Sequence, residues 1–195
     1  MCFIEYLDEL IDAGIVSLKI EGRAKSVAYL SSVIKAYREG IDYLSGVGNG
    51  HARSAHKKFL RGLKKKYLDN LMHRGYTTGF LFGRDKVEQQ TEVSHLDSKE
   101  EFVGEVVRVE THCNASRTTK KQTKKIYIRP HNALRVGDKI RIIQPKNATE
   151  LQFSIPQIYA ENGEKVESAH GGTGQLVYLL SKREIRPYSV LMRVK

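Results

Sequence analysis

The spacing of apolar residues changes period near Phe102, and that change constrains the fold more than any other feature. Before it, Val27, Leu30, Val33/Ile34, Tyr37, Ile41 and Leu44 recur in steps of three and four over five turns. That is one face of a long amphipathic helix. After it, apolar residues alternate with polar ones in short runs, the period of half-buried strands. Neither an all-helical bundle nor a single all-β domain accommodates both halves, so an α+β chain of more than one domain is expected.

The helical half divides further. Residues 3–13 read as a short helix with Phe3, Leu7, Leu10 and Ile11 on one face, closed by Gly14. Ile15–Ile20 reads as a strand, with Val16, Leu18 and Ile20 opposite Ser17 and Lys19. A second helix starts after Ser26, a suitable N-cap. Helix, strand and helix joined by short connections follow the pattern of a parallel α/β unit, but one strand cannot make a sheet. The expectation is that residues 1–45 form the C-terminal end of a larger TIM-like barrel. Ser45–Gly50 is a glycine-rich joint. It follows a helix rather than a strand, so its Gly-x-Gly-x-Gly pattern is no dinucleotide fingerprint. Residues 56–72 read as a third helix, and 84–100 as a polar linker, making 46–100 a helical connector.

From Phe102 the predicted strands are Phe102–Val109, Ile126–Arg129, Lys139–Ile143, Leu151–Ile158, Gln175–Leu180 and Val190–Val194. Turn signals fall at Gly137-Asp138, Pro145-Lys146-Asn147 and Asn162-Gly163. Short strands so spaced predict a small C-terminal β-barrel over 101–195.

Charge narrows the partners. The 195 residues carry 33 Lys+Arg against 22 Asp+Glu, a net charge of +11. Residues 1–45 are slightly acidic, so the excess lies from the middle onward. Lys57, Lys58, Arg61, Lys64, Lys65 and Lys66 crowd ten residues of helical pattern. Arg117, Lys120, Lys121, Lys124 and Lys125 crowd nine residues of polar loop. Such clusters are either solvated faces or a nucleic-acid footprint, and RNA is the partner they suggest. No run of apolar residues is long enough to span a membrane. The acidic start is unlike a signal or transit peptide, so a cytoplasmic location is expected.

Two spots could carry chemistry. Lys19-Ile20-Glu21-Gly22-Arg23-Ala24-Lys25-Ser26 lies where the strand ends and the helix begins, the edge that carries sites in parallel α/β folds. Lys19, Glu21, Gly22, Arg23 and Lys25 are its candidate anion- or substrate-binding residues; a structural ion pair is the alternative. Arg74-Gly75-Tyr76-Thr77-Thr78-Gly79-Phe80 brackets an aromatic and two hydroxyls with glycines. Arg74, Tyr76 and Thr77 are candidates for stacking a base and bonding a phosphate, and a tight structural turn is the alternative. Cys2 and Cys113 are the only cysteines, so a disulfide framework and a Cys-rich zinc site are excluded. No histidine stands at metal-ligand spacing from a second ligand. No nucleophile elbow or Cys–His pairing appears, so no catalytic residue and no metal ligand is assigned.

These motifs resemble peptidase family U32, the collagenase-like proteases. The resemblance rests on Ser17-Leu18-Lys19-Ile20-Glu21-Gly22-Arg23-Ala24-Lys25-Ser26, with Tyr29 and Ala36-Tyr37-Arg38, and on His73–Phe80. It extends to Val136-Gly137-Asp138 and Leu191-Met192-Arg193. It resembles in particular the branch that hydroxylates the wobble uridine of tRNA. The resemblance implies a TIM-like barrel with an iron–sulfur cluster, a requirement for prephenate, and a small β-barrel after it. The family's main cysteine cluster lies upstream of the residues matched here, so no cofactor is expected in this chain itself. The missing barrel would be a fused or separate partner. The implied role is a C-terminal part that binds tRNA through Lys64, Lys65, Lys66, Arg74, Tyr76, Thr77, Lys120, Lys121, Lys124 and Lys125. A collagenase-like peptidase and a non-catalytic interaction module from a truncated gene are the alternatives.

Overall fold

The computed structural model describes residues 1–47, 53–73, 75–83, 98–112, 123–145 and 150–195. The chain divides into two compact units, Met1–Lys99 and Glu100–Lys195.

The first unit is helical. A 3₁₀ turn, Ile4–Tyr6, leads into α1, Leu7–Asp12; α2 is Val27–Val47 and α3 is Arg53–Leu63. A wide π-type turn, Lys64–Leu68, extends α3, so the third helix begins earlier and ends sooner than 56–72. Gly14, at φ +81°, ends α1, and its neighbour Ile15 donates back to Leu10 O at 3.0 Å. Ser26 caps α2, its Oγ accepting from Tyr29 N at 3.2 Å.

Helix α2 corrects the sequence reading of its inner face. Val27 and Ile34 are exposed, and the buried stripe is Ala28, Ser32, Val33, Ala36 and Gly40. Small residues at four-residue steps let neighbouring elements approach. A Cβ on Gly40 would stand 2.8 Å from Leu7 Cδ2 and 3.2 Å from Leu60 Cδ2. Ile4, Leu7, Val33, Leu60, Leu63, Tyr67, Leu68 and Leu71 complete the core. Tyr67 is fully buried, and its hydroxyl donates to Glu39 at 2.8 Å.

The expected strand Ile15–Ile20 is absent. The segment is irregular and belongs to no sheet, and Val16 is 99% exposed. A strand is defined by its partner, and no neighbouring strand stands beside this segment among the described residues.

The second unit is a curled antiparallel sheet. Its strands are β1 (Glu100–His112), β2 (Thr123–Pro130), β3 (Leu134–Arg135), β4 (Lys139–Ile143), β5 (Leu151–Ser154), β6 (Ile158–Ala160), β7 (Lys165–Val166), β8 (Ser168–Ala169), β9 (Val177–Ser181) and β10 (Val190–Val194). Eight of them run in the order β5-β4-β10-β1-β2-β9-β6-β7, and β3 pairs with β8 apart from it. Among the described residues the ladder does not close, so they form a half-barrel rather than the barrel expected.

Strand β1 is the spine. Register shifts at Phe102/Gly104 and Val106/Arg108 curl it. At Gly104 a Cβ would sit 2.7 Å from Arg129 O, so only glycine fits. The span 151–158 is two strands, not one. Pro156 lies in the gap, where it has no N–H for a ladder, and the chain crosses there from one edge of the sheet toward the other. Val103, Val106, Ile126, Ile128, Ile140, Ile142, Ile158, Leu179 and Leu191 fill the concave side. No described helix is long and apolar enough to cross a membrane.

Candidate functional site

In the first unit three of the six cations of the basic run, Lys57, Arg61 and Lys64, stand opposite acids, as does Arg53 ahead of them. Arg53 meets Asp12 at 3.1 Å, Lys57 meets Glu9 at 3.0 Å and Arg61 meets Glu5 at 3.2 Å. Lys64 Nζ stands 2.5 Å from Glu5 Oε2. The cations recur every three or four residues on α3 and the turn after it, and the acids do the same from the 3₁₀ turn through α1, so four cations face three acids, with Glu5 shared by Arg61 and Lys64. Burial pushes the Glu5 pKa up, but Lys64 and Arg61 outweigh it and hold the carboxyl below its usual value. Of the predicted lysines, Lys65 and Lys66 remain exposed, Lys66 with its ammonium 4.5 Å from the Tyr67 ring.

The two predicted spots meet in one cleft of about 470 Å³. It is lined by Cys2, Lys19, Glu21, Tyr29, Tyr37 and Tyr76, among others. Lys19 and Glu21 pair at 2.9 Å in full solvent, a contact that contributes little to stability. Arg23 and Lys25 are exposed, and Lys25 Nζ lies 5.5 Å from the Tyr29 ring centre. Gly22 passes close over α2, where an added Cβ would strike Leu30. The loop 75–79 is pinned: Tyr76 donates to Leu68 O at 2.8 Å, and Thr77 O accepts from Cys2 N at 2.9 Å. Thr77 Oγ1 accepts from Gly79 N at 3.0 Å. Tyr76 and Thr77 thus hold the turn together, and Arg74 lies outside the described residues.

Tyr37 and Cys2 are the cleft residues that the site reading overlooked. Tyr37 belongs to the expected helix face and to the Ala36-Tyr37-Arg38 run of the family resemblance, neither of which marks it as a site residue. Its hydroxyl accepts from Phe3 N at 2.9 Å. Burial, then the neighbouring Cys2, raises the Tyr37 pKa, and burial does the same for Tyr76. Both phenols are therefore protonated donors at neutral pH. Cys2 alone cannot hold a cluster that takes four ligands. The described residues gather no group of three His, Cys, Asp or Glu that could hold a metal ion.

In the second unit the charges sort by place. Arg141 holds Glu100 at 2.5 Å and Glu150 at 3.4 Å. Arg193 holds Glu101 and Asp138, and Arg129 holds Glu105 at 2.9 Å. Five of the unit's acids are drawn into these pairs. Lys124, Lys125, Lys182 and Arg183 stand elsewhere and make no ion pair among the described residues. Lys124 directly faces Ser181 across β2 and β9, so Lys182 and Arg183 continue from the same end of the sheet. Lys120 and Lys121, in the β1–β2 connection, lie outside the described residues. On the convex face Arg108, Tyr127, Tyr178, Tyr159 and Lys165 occupy facing positions on five neighbouring strands. Arg108 covers the Tyr127 ring at 4.0 Å and Lys125 the Tyr178 ring at 4.6 Å. The sequence signal for Lys182 and Arg183 was weak, a basic pair in a short connection between two strands.

The chain thus comprises a helical unit with a cleft lined by polar and aromatic side chains and a curled antiparallel half-barrel with an excess of basic residues. Its sequence matches peptidase family U32 over residues 1–91 and the U32 C-terminal domain over 98–193, and the chain belongs to this family. It is 28% identical to tRNA hydroxylation protein P of Haemophilus influenzae, over 97% of this chain and 37% of that protein. It is 24% identical to a collagenase of Porphyromonas gingivalis, over 97% of this chain and 41% of that protein. The chain thus spans less than half the length of these relatives. Among solved structures, the C-terminal domain of a Geobacillus thermoleovorans putative U32 peptidase covers 49% of this chain and 92% of its own, at 24% identity and a TM-score of 0.35.

Proposed function

We propose that this chain serves tRNA hydroxylation, as the tRNA wobble-uridine branch of the family does, and that its own contribution is to bind the RNA. One observation carries the reading: Lys124, Lys125, Lys182 and Arg183 lie toward one end of the half-barrel, while Glu100, Glu101, Glu105, Asp138 and Glu150 are held by arginines elsewhere. Unit Glu100–Lys195 holds 17 Lys+Arg against 10 Asp+Glu. An unpaired excess of this kind releases counterions when it meets phosphates. The relatives named for tRNA hydroxylation that match almost the whole chain favour tRNA as the RNA. Arg23 and Lys25, exposed near the cleft, would hold an anionic group of the substrate.

The test is tRNA binding by the purified chain, followed by fluorescence anisotropy as salt rises. Four phosphate contacts give a slope of log affinity against log salt of about −3, roughly a 60-fold loss between about 50 and 200 mM. Absence of binding at low salt, or a flat slope, refutes the reading. The collagenase-named relatives favour a second reading, a peptidase. Gelatin cleavage by pure protein, abolished by one point substitution, would establish it instead.

A further inference from the structure

One aromatic side chain of the half-barrel is held in a conformation that costs energy and is given nothing in return by the fold. Tyr188 has φ +64°, the one non-glycine with positive φ among the described residues. It stands third in the turn Arg186-Pro187-Tyr188-Ser189, closed by Ser189 N donating to Arg186 O at 3.3 Å. Proline second and positive φ third is the arrangement of a type II turn, whose third place ordinarily takes glycine or asparagine. A Cβ there is strained. The surroundings enforce the strain. Tyr188 N donates to Val106 O at 2.8 Å, Val106 N donates to Ser189 O at 2.8 Å, and Arg186 N donates to Gln144 Oε1 at 3.0 Å. Yet the side chain is 81% exposed, so packing does not explain a tyrosine at this position.

The rest of its loop supplies what the ring lacks. The connection from β9 to β10 turns Ile185 into the core and leaves Lys182 and Arg183 outside. Glu184 is the loop's only acid. An exposed π-face on a loop that also carries exposed cations is equipment for single-stranded nucleic acid: the ring stacks a base and the cations take phosphates. We propose that Tyr188 is a nucleobase-stacking residue for single-stranded RNA, with Lys182, Arg183 and, four residues along β2 from the level of Tyr188, Lys124 holding phosphates further along the strand. This rests on the RNA-binding reading above and adds the residue that meets a base.

The chain contains no tryptophan, which makes the test direct. Tyr188→Trp introduces a single indole at an exposed site, in the full chain. Titration with a short oligouridylate should quench its emission in step with binding followed by anisotropy. An oligonucleotide of equal length with abasic sugars should bind without quenching. Tyr188→Phe should keep the oligouridylate affinity. Tyr188→Asn should lower it about 5-fold or more and leave the abasic affinity unchanged. Asparagine accepts positive φ, so this variant should also melt higher, by roughly 2–4 °C. Full affinity in Tyr188→Asn, or binding without any change in emission, overturns the stacking role while the RNA-binding reading stands. Failure of the unaltered chain to bind tRNA or oligouridylate overturns both.

Discussion

Lys64→Met separates the structural lysines from the binding ones. The methionine keeps the apolar stem and removes only the charge. Lys64 and Glu5 are each little more than a quarter exposed and meet at 2.5 Å, so the contact is a charge-assisted hydrogen bond in partial shelter. Glu5 keeps Arg61 as its second partner. The loss is therefore about 1–2 kcal/mol, above a surface pair and below a fully buried one. In a unit of this size each kcal/mol moves Tm by roughly 4–8 °C. The pH dependence has a fixed sign. The folded-state pKa of Glu5 is depressed, so its contribution is present above its unfolded value of 4.5 and fades as pH falls through the folded value. The Lys64 pKa is raised: burial works to lower it, and the Glu5 bond outweighs that, so its contribution persists up to at least 10.5. The gap in Tm between wild type and variant should be full at pH 7 and shrink as pH falls from 4.5 through the lowered folded-state value of Glu5. The salt slope of tRNA binding should not change. A slope flatter by about 0.8 with an unmoved Tm would refute the assignment of Lys64 to the helix seam.

Other substitutions probe the half-barrel. Arg141→Met removes the guanidinium that holds the little-exposed Glu100 and Glu150, which should cost about 3 kcal/mol as read by urea unfolding. Gly171→Ala puts a Cβ 2.1 Å from the backbone oxygen of His131, so the β8–β9 connection must shift; chemical denaturation should show a loss of more than about 2 kcal/mol. Lys182→Ala with Arg183→Ala should leave Tm within about 2 °C and flatten the salt slope by roughly 1.5. Unchanged slopes in that double variant would remove this loop from the RNA interface.

Much of the fold was legible because its signals are local. Strands 139–143 and 190–194 fall where alternation puts them, and Ser26 and Gly14 end helices as their chemistry dictates. What failed depended on partners. Val16, Leu18 and Ile20 alternate as a strand does, but alternation cannot supply a neighbour to pair with. The inner face of α2 was read in part: Val33, Tyr37, Ile41 and Leu44 do pack against the core, but Ala28, Ala36 and Gly40 are buried for their smallness, which hydrophobic counting overlooks. The sequence located the candidate site unevenly. Lys19, Glu21 and Tyr76 do share a cleft, but nothing in a run of lysines reveals that Glu5, Glu9 and Asp12 stand opposite. Tyr188 could have been noticed from Pro187-Tyr188 in a turn, a place where glycine is the ordinary choice.

The most direct test of where RNA is held is photocrosslinking of tRNA carrying 4-thiouridine to the full chain, with the attached peptides identified by mass spectrometry. The account predicts crosslinks in residues 182–188 and in strand β2 near Lys124 and Lys125, all lost at high salt. Crosslinks confined to the α3 seam, with none on the half-barrel, would contradict it.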